Sequence, residues 1–311
     1  MDAQGRLRIG TRGSPLALVQ AEEVKRRLLA AHPELEAARV EIVAIRTTGD
    51  RVRNRPLAEI GGKGLFTKEI EEALATGTID LAVHSMKDVP TRLPEGLGIV
   101  ATPPRADPRD ALLAPAARTI DELREGAVVG TSSLRRRAQL LRRRPDLRIV
   151  EFRGNIGTRM RKLADGVAEA TLLAAAGLAR LGDATVRAVP LPPEVLLPAL
   201  AQGALGVEAR LDDRRVTDLV AAIDDAETAT CVACERAFLA ALDGSCRTPI
   251  AGLARLDAGG LAFVGEILSP DGREAFAARR EGGAGDAARL GREAAEELRA
   301  TAGPSFFEAL G

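Results

Sequence analysis

The chain has 311 residues, 46% of them hydrophobic, and its 44 Lys plus Arg balance 44 Asp plus Glu. A neutral total excludes attraction of nucleic acid or other polyanions by overall charge, so any anion affinity must come from local clustering. No apolar run reaches membrane-spanning length, and Met1-Asp-Ala-Gln-Gly-Arg6 lacks the basic-then-apolar order of a secretory signal, so a cytoplasmic protein without a membrane partner is expected.

The length suits two or three domains. A strand is predicted over 7–10. Ser14 then caps a helix with Pro15 in its first position, and Ala17, Ala21, Val24 and Leu28 form its buried stripe until His32-Pro33 ends it. Arg12 falls just before that helix start, where free backbone N–H groups attract an anion. A strand over 40–46 leads into a polar stretch, 47–62, and a helix with Phe66, Ile70 and Leu74 four apart is closed by Gly77. Residues 81–83 read as a buried strand, stopped by Pro90. Lys87 and Asp88 therefore lie just past a strand's carboxyl end, where open α/β sheets hold their ligands. A carboxylate there serves as a general acid or base, or stabilises a cation as it develops; a surface ion pair is the plainer alternative.

After a strand from Leu97, Thr102-Pro-Pro-Arg-Ala-Asp-Pro108 reads as a crossing into a second domain. There a strand over 111–114, a helix opened by the capping box Thr119-x-x-Glu122 and a strand over 127–130 repeat the alternation of α/β layers. Gly130-Thr-Ser-Ser-Leu-Arg-Arg-Arg137 enters a helix with hydroxyls at its cap. Arg135 and Arg136 in that first turn oppose the macrodipole and cost stability unless something negative binds there. A strand over 147–152 ends at Arg153-Gly-Asn-Ile-Gly-Thr-Arg159, and one over 172–174 runs on towards Arg180. Cations at several strand ends suit a polycarboxylate better than a single phosphate.

A proline-rich stretch, 190–198, crosses back, since the strand read over 203–208 has no obvious partner in the second domain. Beyond Asp224-Asp225 come a helix over 227–242, strands over 250–256 and 261–268, and a helix over 286–300, which make a third, α+β domain. Cys231 and Cys234 fall inside the helix pattern and read as core. Cys246 sits in a glycine-bounded loop beside Arg247, which favours a reactive thiol. His32 and His84 are the only histidines, so no metal site is expected. Two other classes compete. An anion-binding or sensory protein explains the arginines but leaves Cys246 without a role. A nucleic-acid module explains only 135–148, in a chain with no Trp or Tyr for stacking.

Five motifs in combination, His84-Ser-Met-Lys-Asp-Val-Pro90, Gly130-Thr-Ser-Ser-Leu-Arg-Arg136, Arg153-Gly-Asn155 with Thr158-Arg159, Gln202-Gly-Ala204 and Gly244-Ser-Cys-Arg-Thr-Pro249, resemble the porphobilinogen deaminase (hydroxymethylbilane synthase) family over essentially the whole length. The resemblance implies an α/β fold of two periplasmic-binding-protein-like domains joined by a double crossover, 1–103 with 204–222 and 108–198, plus a smaller α+β domain, 226–311. It implies a transferase of tetrapyrrole and haem biosynthesis that joins four porphobilinogen molecules head to tail into hydroxymethylbilane, releasing ammonia. Its expected catalytic residue is Asp88, and Cys246 is expected to hold a dipyrromethane cofactor covalently. Lys87, Thr131, Ser132, Ser133, Arg135, Arg136 and Gly154 are expected around that cofactor, and Arg12, Ser14, Phe66, Arg153, Arg159 and Arg180 around substrate. A monomer with no nucleic-acid partner is expected. Two positions depart from the family's pattern: Glu59, where some relatives have lysine, and Ala168-Glu-Ala-Thr171, where an aspartate is common.

Overall fold

The structure is a computed structural model that describes residues 5–51, 67–182, 187–242 and 248–309. Glu59, Phe66 and Cys246 lie outside the described residues. The chain divides into two compact units, one of residues up to 106 with 203–229, the other of 107–202 with 230 onward.

The first stretch contains β1 (Leu7–Arg12), α1 (Pro15–Ala31), β2 (Val40–Ile45), α2 (Lys68–Ala75), β3 (Leu81–Ser85) and β4 (Leu97–Ala101). α1 starts where the sequence places it: Ser14 Oγ accepts from the Ala17 N–H at 3.3 Å, and Pro15 gives up no needed donor. Its stripe of Ala17, Ala21, Val24 and Leu28 is buried. The second unit opens with β5 (Asp110–Leu113), β6 (Val128–Gly130), α3 (Leu134–Arg143), β7 (Arg148–Val150), α4 (Ile156–Ala164), β8 (Ala170–Ala174), α5 (Ala175–Leu181) and β9 (Val189–Pro190). The chain then returns to the first unit with β10 (Leu205–Arg210) and α6 (Arg214–Ala221). It ends with α7 (Ala226–Ala241), β11 (Ile250–Asp257), β12 (Gly260–Leu268), β13 (Ala275–Gly282) and α8 (Ala287–Glu308).

The two larger sheets share one plan. The first has the order β2-β1-β3-β10-β4 and the second β7-β6-β8-β5-β9. In each, three parallel strands are followed by one antiparallel strand in the fourth place, β10 or β5, which is the first strand after a crossing. α1 and α6 supply Ala21, Val24, Leu28, Val216 and Val220 to the core of the first sheet. The third sheet, β11-β12-β13, is antiparallel. Phe238 from α7 and Leu290, Ala294 and Leu298 from α8 cover one face of it, and Leu197 packs against Ala251 and Leu253. The mixed α/β architecture with a small α+β end agrees with the expected fold class.

Four sequence readings are corrected. The Thr119 capping box forms, with the Glu122 N–H on Thr119 Oγ1 at 3.3 Å and Glu122 Oε2 accepting from the Arg118 N–H at 2.7 Å. Only turns follow, and Gly126, at φ 66°, ends them less than two helical turns after Thr119. The C-terminal sheet has a third strand, β13, and the first unit has a helix, α6, that the pattern did not show. In the N-terminal polar stretch the described residues include a helical turn, Thr48–Arg51.

The β12–β13 turn is seated on α3. Gly272 has φ 74°, and a Cβ there would lie 2.3 Å from Ala138 O and 2.7 Å from Arg142 N, both backbone atoms. Gly272→Ala is expected to lower unfolding stability by about 1–3 kcal/mol, since neither the backbone angle nor the helix can yield cheaply. Urea titration checks this; an unchanged midpoint would show that the turn is not held against the helix.

Candidate active site

In the first unit a pocket is lined by Arg12, Ser14, Leu16, Ala17, Gln20, Thr67, Val83, His84, Ser85 and Asp88. Its position follows from the sheet. β1 and β3 are parallel neighbours, with Ile9 beside Leu81, so their carboxyl ends open side by side, one delivering Arg12 and the start of α1, the other Asp88. Thr11 Oγ1 donates across this end to Val83 O at 3.3 Å, and Gln20 Nε2 donates to Ser85 Oγ at 2.8 Å. Those bonds fix the two walls against each other. Beyond β3 the chain makes a single 3-10 turn, Met86–Asp88. Met86 is buried, whereas Lys87 and Asp88 are exposed on the turn. Gln20 and Ser85 were not singled out from sequence; only the helical spacing that turns Gln20 inward with Ala17 and Ala21 could have marked it.

In the second unit the expected residues gather at the carboxyl ends of β6, β7 and β8. Ser133 caps α3 by accepting from the Arg136 N–H, Ser132 Oγ accepts from the Phe152 N–H at 3.0 Å, and the Ser133 N–H donates to Thr131 Oγ1 at 3.2 Å. These hydroxyls shape the loop themselves. Arg135 and Arg136 are buried, and both pair with Asp110, at 2.7 and 2.6 Å. Arg135 Nη1 also donates to Leu197 O at 2.7 Å and Arg136 Nη1 to Leu172 O at 2.8 Å. Gln202 Nε2 completes the group, 3.1 Å from Asp110 Oδ1. Part of the negative charge that the arginines at this helix start require is thus internal, supplied by Asp110. Burial by itself would push the Asp110 carboxyl up; the two arginine charges and their hydrogen bonds override it and hold it far below the usual carboxylate range.

The unmet demand for an anion lies at Arg159. Its Nε donates to Gly154 O at 2.9 Å, and no carboxylate pairs with it among the described residues. Burial, and then the nearby charges of Arg136 and Arg153, lower its pKa to about 10. Arg153 Nε lies 3.6 Å from Glu151 Oε2. Gly154, at φ 118°, is required by the close approach of Thr158, whose Cγ2 would be 2.6 Å from a Cβ. Arg180 lies in the last turn of α5. A carboxylate-bearing group such as a dipyrromethane fits this set, since it would relieve the repulsion among Arg136, Arg153 and Arg159. Cys231 and Cys234 are buried in the core between α7 and α8, where burial pushes the Cys234 thiol up to about 12.

Among the described residues no helix is long and apolar enough to cross a membrane. The family model described as porphobilinogen deaminase, dipyromethane cofactor binding domain, matches residues 7–218, and that described as porphobilinogen deaminase, C-terminal domain, matches 229–300. A porphobilinogen deaminase of Paracoccus denitrificans is 59% identical over 307 residues, 99% of this chain and 98% of that protein. Among solved structures, a periplasmic substrate-binding protein from Coxiella burnetii aligns at 18% identity with a TM-score of 0.42, covering 70% of this chain and 91% of its own. The periplasmic VFT2 domain of Bordetella pertussis BvgS aligns at 14% and 0.40, covering 70% and 86%. Matched by both family models in order and by a relative along nearly its whole length, the chain belongs to the porphobilinogen deaminase family.

Proposed function

We infer that the chain is a transferase that joins four porphobilinogen molecules head to tail into hydroxymethylbilane, releasing ammonia, in tetrapyrrole biosynthesis. Family membership supports this reading, and the observation that carries the chemistry is the carboxylate of Asp88 in a pocket shared with Arg12 and Ser14. When an aminomethylpyrrole loses ammonia, the C–N pair leaves with nitrogen and a delocalised cation remains on the pyrrole. Asp88 first helps protonate the amine, which then departs as neutral ammonia with the C–N pair, and the carboxylate left behind stabilises the cation. Arg12, Ser14 and Phe66 bind substrate.

Arg153, Arg159 and Arg180 bind acetate and propionate groups. Lys87, Thr131, Ser132, Ser133, Arg135, Arg136 and Gly154 surround a dipyrromethane attached through Cys246. When bound, that group supplies the carbon nucleophile to which the first substrate is joined. Arg135 and Arg136 spend donors on Asp110 and on carbonyls, so their part is to fix the loop and lend charge. The functional division is 1–103 with 204–222, 108–198 and 226–311. The enzyme works as a cytoplasmic monomer, without nucleic acid or membrane.

The test is the tether. Protein from cells that make porphobilinogen should carry a covalent dipyrromethane on Cys246 and on neither Cys231 nor Cys234. Cys246→Ser should be inactive and easier to unfold, because a ligand bound only to the native state stabilises it. Intact mass and peptide mapping decide: full activity without modification, or an adduct on Cys234, would overturn the reading.

A further inference from the structure

The turn that carries Asp88 is one 3-10 turn long, too short to hold itself by its own hydrogen bonds. Its backbone is tied by the Met86 N–H to Ala204 O at 3.0 Å and the Val89 N–H to Met86 O at 3.2 Å. The remaining hold comes from behind, on β10. That strand runs antiparallel to β3 with Gly206 opposite His84 and Glu208 opposite Ala82, so Ala82, His84, Gly206 and Glu208 share one face, and Met86 continues it.

Two contacts are made on that face. His84 Nε2 lies 2.8 Å from Glu208 Oε2, with side chains 5% and 0% exposed. One step further along, Met86 fills the space that Gly206 leaves empty: a Cβ at 206 would lie 2.1 Å from Met86 Sδ and 3.2 Å from Cγ, with Ile99 Cδ1 at 3.4 Å. Met86 is 1% exposed, so its sulfur has no room to swing away and a displaced thioether takes its own backbone with it. The imidazole and carboxylate are a poor device for stability, since the desolvation of a buried pair offsets most of its attraction. Neither Glu208 oxygen nor His84 Nε2 has a hydrogen-bond partner among the described residues, so the 2.8 Å approach is a close contact of the two groups without hydrogen-bond geometry, and the nearby Glu71 carboxyl is pushed up by burial and by the Glu208 charge. What such a pair does well is fix one orientation, and His84 lines the same pocket as Asp88.

We propose that Gly206 and Glu208 are positioning residues for Asp88, setting through Met86 and His84 the height and angle at which the turn presents its carboxylate. The proposal rests on the reading of Asp88 as the reacting carboxylate. In the holoenzyme, with cofactor content checked by mass, Gly206→Ala should lower kcat about tenfold or more with KM changed less than about threefold, since a small misplacement of a reacting group acts on the transition state. Adding Met86→Val to Gly206→Ala removes the sulfur and should recover about threefold or more of kcat while the urea midpoint falls further, because buried volume is lost. Ordinary core packing would move activity and stability in the same direction. Glu208→Gln should lower kcat about threefold or more at unchanged KM.

A double variant no faster than Gly206→Ala, or Gly206→Ala and Glu208→Gln both within about threefold of the parent kcat, overturns the proposal. If Gly206→Ala yields no folded protein, Glu208→Gln decides by the same limit. Asp88→Asn is measured alongside. Full activity there sinks the reading of Asp88 itself, whereas loss there with parent-like kcat in the β10 variants sinks only the positioning role.

Discussion

Asp88→Asn is expected to lose turnover by about 10²–10⁴-fold, the range for a group that moves a proton in the transition state, while remaining folded. The side chain is exposed on its turn, so stability should stay within about 0.5 kcal/mol of the parent. Asparagine preserves shape and removes the charge that a pyrrole cation needs. Single-turnover ammonia release on the cofactor-loaded enzyme separates the chemical step from product release. Release at the parental rate would mean that Asp88 neither helps protonate the leaving amine nor stabilises the cation.

Asp110→Asn should cost about 3–5 kcal/mol, because it leaves the guanidinium groups of Arg135 and Arg136 buried without their anion. Arg135→Leu should also destabilise, contrary to what its place at a helix start suggests, since one of the two cations balancing Asp110 is then lost. The sign of the pH dependence follows from the Asp110 carboxyl, which the two arginines hold far below its ordinary value. Its contribution is complete above the unfolded value of about 4 and is lost as pH falls from there towards the folded value. The difference in unfolding free energy between parent and Asp110→Asn should therefore be constant near neutral pH and shrink below about pH 4. Urea titrations at neutral and acidic pH measure it, and a difference independent of pH would remove the carboxylate from the account.

Features set by neighbours a few residues apart were legible in the sequence. Ser14 and Pro15 open α1 because cap and fixed φ act on the next turn alone, and Asp88 was placed at a strand end by the apolar run before it and Pro90 after it. The Asp110 cluster was not legible. Its charges are separated by a strand and a loop, and an aspartate before an apolar strand has no local signature. The arginine argument accordingly found the right helix but missed the anion within the fold, Asp110, while a further shortfall of negative charge, at Arg159, depends on which cations the fold brings together. Thr119 shows the converse error: a capping box specifies a start, and Gly126 decides that nothing follows. β13 escaped because Ala275-Phe-Ala-Ala-Arg-Arg-Glu-Gly282 has too little apolar alternation to mark a strand at the margin of its sheet.

The fourth place of β10 in the first sheet bears on how the chain is made. β3 and β4 bond to β10 and not to each other, and more than a hundred residues of chain separate that strand from β4. As the polypeptide leaves the ribosome, both strands must wait with unpaired edges until residues 205–210 emerge, by which time β5 to β9 have already been synthesised. Such long-range pairing slows folding, and open edges invite pairing with other chains in the interval. The N-terminal unit is thus first to be translated and cannot be first to close, which makes vectorial synthesis, rather than the finished fold, the stage at which this chain is most exposed to aggregation.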